Sequence, residues 1–200
     1  MIRAVVVDIG GVIEHTPSTG WIRRWEERLG LEAGEFEKRT AAIWEAGVVG
    51  TISLEDVHRG LRGRLGLEEA DVDALMREAW AEYLGTLNDE FVEYFRGLRP
   101  RYQTAMLSNS FVGARERERE MFGLEDMTDL IVYSHEVGVA KPDPRIYVLT
   151  CERLGVGPRE AIFVDDTEEM VDAARATGML GILFRDTART IEEIRAELDR

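Results

Sequence analysis

The chain has little of what builds staples and metal clusters. Of its 200 residues one is a cysteine, Cys151, and three are histidines, His15, His58 and His135, spread far apart. A single thiol excludes an internal disulfide framework and any multi-cysteine metal site. The scattered histidines give no His/Cys zinc pattern. No apolar stretch approaches the roughly 18 residues that suggest a membrane span. Lysine is nearly absent: Lys38 and Lys141 are the only two, and the other 23 of 25 basic residues are arginine. Positive charge is also outnumbered, with 39 acidic residues giving a net charge of −14. A surface that negative repels nucleic acid and anionic lipid. The expectation is a cytoplasmic protein with neither nucleic acid nor membrane as partner. If the substrate is an anion, positive charge must be supplied locally. Nothing in the sequence fixes the oligomeric state.

What is present is ordinary globular chain, 44% hydrophobic and 32% charged. The opening MIRAVVVDIGGVI is interrupted by Asp8 and followed by no small-residue cleavage site, so it reads as a buried strand rather than a signal peptide. Its apolar run 3–7, bounded by Gly10-Gly11, predicts a strand buried on both faces. Four similar runs follow at Gln103–Leu107, Leu130–Tyr133, Ala161–Val164 and Gly181–Phe184. Helical patterns alternate with them at Arg115–Phe122, Pro144–Leu154, Glu168–Thr177 and Thr187–Leu198. This rhythm predicts an α/β fold, a doubly wound, Rossmann-like parallel sheet.

Residues 16 to 99 break the rhythm. No strand is evident there. Helical stretches fall at Trp21–Leu29, Ala33–Glu45, Leu54–Leu65, Glu69–Leu84 and Asp89–Leu98, punctuated by glycines that include Gly47 and Gly50. Ser53 and Asp56 form a capping-box pattern with Asp in place of Glu. A block of about 80 residues is too long for a loop. The expected organisation is an α/β core over 1–15 and 97–200 with an all-helical insert over 16–96, of which 89–98 serves as a crossover helix of the core.

Ligands in open α/β sheets bind outside the carboxyl ends of the strands. The residues expected there are Asp8, Ser108-Asn109 and Asp165-Asp166, with Lys141 just ahead of the helix at Pro144. Each alone has an ordinary explanation: an aspartate caps a helix, a serine makes a turn, a lysine faces water. The ordinary explanations leave their conjunction at one edge unexplained, and adjacent carboxylates repel unless a cation stands between them. In so arginine-rich a chain, Lys141 also suggests a place that wants a compact ammonium.

In order along the chain, V-V-V-D-I-G-G-V-I, M-L-S-N-S, K-P-D-P-R-I-Y and I-F-V-D-D-T together resemble the haloacid dehalogenase-like hydrolase superfamily. The helical insert resembles the small helical cap of its subclass I. The resemblance implies that Asp8 is a nucleophile forming a covalent aspartyl intermediate. It implies that Ser108, with Asn109, holds a phosphoryl oxygen and that Lys141 neutralises the nucleophile and the phosphate. It further implies a Mg²⁺ ion held by Asp8, the Gly10 carbonyl, Asp165 and Asp166. The physics agrees: a carboxylate attacking a phosphate dianion needs that repulsion cancelled.

One departure bears on mechanism. Phosphatases of the family usually carry a second Asp two residues after the nucleophile as general acid and base, and here that position is Gly10. A mutase reading is therefore disfavoured. The sequence points to a Mg²⁺-dependent phosphatase of a small phosphorylated metabolite. A 2-haloacid dehalogenase, or a feebly active binding or regulatory relative, are the alternatives. Glu14 and His15, just beyond in the chain, are the residues that could replace the missing acid. Met170, where many relatives carry Asn, is read as packing only.

Overall fold

The computed structural model describes residues 1–200. In chain order its elements are β1 (Ala4–Val7), β2 (Glu14–His15), α1 (Trp21–Leu29), α2 (Glu35–Val48), α3 (Leu54–Leu65), α4 (Glu69–Leu84), β3 (Thr86–Leu87), α5 (Asp89–Gly97), β4 (Gln103–Ser108), α6 (Ala114–Phe122), β5 (Leu130–Tyr133), α7 (Ser134–Val137), α8 (Pro144–Leu154), β6 (Ala161–Asp165), α9 (Glu168–Ala176), β7 (Leu180–Leu183) and α10 (Thr187–Leu198). Five strands make one parallel sheet in the order β5-β4-β1-β6-β7. The chain first builds outward from β1 through β4 to β5, then crosses back to add β6 and β7 on the other side.

The period-2 alternation of β1 sorts its side chains to two faces. Val5 and Val7 pack with Phe91, Val92 and Phe95 of α5 and with Ile191 and Ile194 of α10. Ala4 and Val6 pack with Ile146, Tyr147 and Cys151 of α8 and Ala174 of α9. Both faces are covered, which is why the strand reads as a continuous apolar run. A third apolar cluster lies apart from the sheet. Trp21, Trp25, Phe36, Leu61, Leu75 and Trp80 form its centre, all from α1–α4, and the core contributes Phe111 and Ala114. The structure is thus a parallel α/β sheet with a helical cap. Helix α5 packs on the sheet, not on the cap cluster. No helix is long and apolar enough to cross a membrane.

Three details differ from the sequence reading. The second cap helix runs Glu35–Val48 rather than 33–45, so Gly47 lies inside it. A Cβ at Gly47 would overlap the Phe111 ring, so this glycine is there for a close approach rather than as a helix stop. The last strand is displaced by one residue, to Leu180–Leu183. A two-stranded antiparallel ribbon, β2 with β3, joins the two chain crossings between core and cap, pairing Glu14 with Leu87 and His15 with Thr86. The Ser53/Asp56 capping box is formed as expected, with Asp56 N–H donating to Ser53 Oγ at 3.2 Å and Ser53 N–H to Asp56 Oδ2 at 3.0 Å.

Candidate active site

The carboxyl ends of β1, β4 and β6 lie side by side because β1 pairs in register with both neighbours, Val7 opposite Met106 and Val164. Asp8 and Asp165, one residue beyond those positions, and Ser108, two beyond, are thereby brought to one edge, at the point where strand order reverses. Lys141 arrives from the loop before α8 and is 4% exposed, while Asp165 is 0% exposed. The Lys141 ammonium stands between the two aspartates, 2.8 Å from Asp8 Oδ1 and 2.6 Å from Asp165 Oδ2. Asp8 Oδ1 also accepts from the Ile9 N–H at 2.8 Å. Asp165 Oδ1 accepts from the Thr167 N–H at 2.9 Å, which fixes both ends of that carboxylate.

Asp166 is exposed and adjacent. Asp8, Asp165 and Asp166 each offer a carboxylate oxygen, and those oxygens lie within 4.8 Å of one another. One ammonium against three carboxylates leaves negative charge uncompensated. Burial pushes the Asp8 carboxyl above its ordinary range, against the pull of Lys141, and the Asp165 charge adds to the rise. Burial alone would discharge Lys141, but Asp8 and Asp165 outweigh it and hold the ammonium charged, its pKa raised. An all-oxygen set of this kind suits a hard divalent cation such as Mg²⁺. Gly11 makes room for the Asp166 carboxylate: φ is +75°, and a Cβ there would overlap it.

Asp8, Gly10, Ser108 and Asn109 line a cavity of about 120 Å³. Asn109, expected to bind phosphate, turns its side chain to the backbone of Lys141. Its Nδ2 donates to the Lys141 carbonyl at 2.8 Å and its Oδ1 accepts from the Lys141 N–H at 2.7 Å. The amide thus holds the Lys141 backbone, while Asn109 itself still lines the cavity beside Asp8 and Ser108.

The two residues singled out near Gly10 part company. Glu14 is 1% exposed and lines the same cavity. His15 is exposed on the β2–β3 ribbon and does not line it. The Glu14 Oε1 is buried without a hydrogen-bond partner. Burial raises the pKa of its carboxyl to about 9, with the charges of Glu118 and Asp8 adding to the rise. Gly10 has no positive φ, and a Cβ there meets only Thr16 Oγ1 at 3.7 Å. The sequence did not single out Gly11, Thr16 or Tyr83, which also shape the site. The Gly11 glycine pair was visible, but its carboxylate neighbour is distant in sequence.

A family model described as haloacid dehalogenase-like hydrolase matches residues 2–178. A Mycobacterium tuberculosis protein named Phosphatase MT3486 is 28% identical, over 98% of this chain and 94% of its own length. The sesquiterpene phosphatase astK of Aspergillus oryzae is 30% identical, over 96% of this chain and 95% of its own. Among solved structures, a HAD family enzyme from Bacteroides thetaiotaomicron, crystallised with magnesium and inorganic phosphate, superposes with a TM-score of 0.79. It is 23% identical, over 92% of this chain and 95% of that one, and shares the fold.

Proposed function

Because the chain belongs to the haloacid dehalogenase-like hydrolase family, we propose that it is a magnesium-dependent phosphatase of a small phosphorylated metabolite, working through a covalent aspartyl-phosphate on Asp8. One observation carries the reading: Lys141 bridging Asp8 and Asp165, at 2.8 and 2.6 Å, with a third carboxylate in reach. Two relatives named as phosphatases, matched along nearly their whole length, support it.

In this mechanism both recorded contacts to the Asp8 carboxylate fall on Oδ1, leaving Oδ2 to attack phosphorus. The bond from Asp8 to phosphorus forms as the ester P–O bond breaks, and the leaving oxygen takes up a proton. Water then attacks phosphorus and gives up a proton, replacing the one the leaving alcohol took, which releases inorganic phosphate and restores the Asp8 carboxylate. Lys141 cancels part of the repulsion between carboxylate and phosphate, and the Ser108 hydroxyl donates to a phosphoryl oxygen. Asn109 holds the Lys141 backbone in place. Asp8, Asp165, Asp166 and the Gly10 carbonyl would hold Mg²⁺, which when bound supplies charge neutralisation and orientation of the phosphoryl group. The crowding of three carboxylates favours this reading over a 2-haloacid dehalogenase, whose chemistry needs no metal.

The test is phosphate release from a panel of phosphomonoesters with and without Mg²⁺. Release that requires Mg²⁺ and disappears in Asp8→Asn is expected. Full activity in excess chelator, or more than trace activity in Asp8→Asn, overturns the mechanism.

A further inference from the structure

A second and larger cavity, of about 420 Å³, lies between α1, α2 and α4 of the cap and the turn after β4. Thr16, Tyr83 and Asn109 line both this cavity and the small one that holds Asp8. The two cavities therefore adjoin, and Asp8 lines the smaller one. The volume of the larger falls in the ordinary range for small-molecule pockets, roughly 300–1,000 Å³.

The walls are Trp21, Trp44, Trp80, Phe111, Ile22 and Met76. The aromatic ones brace each other, with ring centroids 5.2 Å apart for Trp44–Phe111, 6.0 Å for Trp80–Phe111 and 6.3 Å for Trp21–Trp44. No Lys, Arg or His lines the cavity, and its two charged lining residues, Glu37 and Glu82, are both acidic. Arg117 stacks on Trp80 at 4.1 Å but is not part of the lining. Four polar groups of the lining are committed elsewhere, while Trp80 Nε1 is buried without a partner. Glu82 accepts from the Thr19 hydroxyl and N–H at 2.6 Å each. Ser110 Oγ pairs with His135 Nδ1 at 2.6 Å, the Asn109 amide is spent on Lys141, and Trp44 Nε1 donates to Thr40.

We infer that the substrate's leaving group is an uncharged, mainly hydrocarbon or aromatic alcohol, which fills this cavity while its phosphate reaches Asp8. A second phosphate or a carboxylate would face acidic groups with no cation to receive it. A sugar would set several hydroxyls against mainly aromatic walls that offer few partners, Thr16, Glu37 and Trp80 Nε1 among them, and each unpaired polar group is costly. The inference takes its chemistry from the phosphatase reading above, but its specificity from the cavity alone.

The deciding experiment is a series of n-alkyl phosphates from ethyl to decyl, compared with a hexose 6-phosphate and a bisphosphate. The same chain lengths are titrated as non-hydrolysable alkylphosphonates by the fluorescence of the cavity tryptophans. Burial of each added methylene predicts up to about fourfold in kcat/KM and in phosphonate affinity until the cavity is full. The hexose phosphate and the bisphosphate should fall at least about tenfold below the best alkyl phosphate. Ala79 lines the cavity, and Ala79→Arg should reverse the order, favouring the bisphosphate over decyl phosphate. If Ala79→Arg does not fold, the wild-type series decides alone. Turnover of all esters with no dependence on chain length overturns the inference and leaves the phosphatase intact. Chain-dependent phosphonate binding without turnover of any ester supports the inference and overturns the phosphatase. Neither binding nor turnover overturns both.

Discussion

Glu14→Gln separates the energetic cost of a buried carboxyl from its use. Glu14 is 1% exposed, its Oε1 has no partner, and the fully buried Glu118 adds a like charge to its surroundings. Burial holds its pKa at about 9 against an ordinary value of 4.5. The folded protein therefore keeps a proton that the unfolded chain loses above pH 4.5. Below that pH both states are protonated and Glu14 costs nothing in this respect. As pH rises from about 4.5 to about 9 the unfolded state is progressively favoured, and beyond that the effect is constant. Between pH 4.5 and 7 the difference amounts to at most about 3 kcal/mol, at 1.36 kcal/mol per unit. Gln has nearly the same shape and no titration. The variant should therefore match wild type near pH 4.5 and be more stable by up to about 3 kcal/mol at pH 7, roughly 6–12 °C in Tm for a chain this size. The assay is thermal melting of both proteins between pH 4.5 and 9 with chelator present, so that no bound cation alters the site. Parallel pH profiles for the two proteins would refute the argument. The same variant reports on catalysis: if Glu14 protonates the leaving oxygen, Glu14→Gln is more stable yet slower on alkyl phosphates.

Three further perturbations follow from the site. Gly11→Ala should weaken Mg²⁺ binding, because φ +75° strains any side chain and the new Cβ displaces Asp166; unchanged affinity by calorimetry would show that Asp166 is not a ligand. Lys141→Ala leaves Asp8 and Asp165 facing each other without their shared ammonium, so denaturant unfolding of the metal-free protein should show a loss of about 3–5 kcal/mol. A loss below about 1 kcal/mol would mean that the pair relaxes into water. Gly10→Asp fits sterically and should raise turnover of esters with poor leaving groups, by up to about 10²–10⁴ for a general acid. A plot of log kcat/KM against leaving-group pKa that stays steep in the variant would deny the new carboxylate that role.

The parts of this fold visible in the sequence are those governed by short-range pattern. The Ala4–Val7 run announces a strand covered on both faces, and the end-of-strand positions of Asp8, Ser108 and Asp165 follow from parallel topology alone. Lys141 stood out by composition, in a chain with only two lysines. The features that escaped depend on contacts between distant segments. Gly47 looked like a helix stop because its reason, the Phe111 ring, comes from the other side of the cap–core junction. The tie between the Asn109 amide and the Lys141 backbone was invisible because a loop brings the two together. Glu14 and His15 are neighbours of similar standing in the sequence, and only the alternation of a two-residue ribbon decides which of them faces the site.

That ribbon has a topological consequence. The chain leaves the sheet after β1 and returns before β4, and β2 and β3 tie those two crossings together. Asn88 reinforces the seam: its N–H donates to the Ile13 carbonyl at 2.9 Å and its Nδ2 to the Val12 carbonyl at 3.1 Å. The cap is thus a closed parenthesis in the chain, its opening and closing marks adjacent. No strand of the five takes a pairing partner from inside it. An insert of this form is exchangeable: it can be lengthened, shortened or replaced by another module whose ends meet, and the register of every strand in the sheet is preserved. Selection for new substrates can therefore act on some seventy residues, Thr16 and Tyr83 at the site among them, while Asp8, Ser108 and Asp165 keep their places at the strand ends.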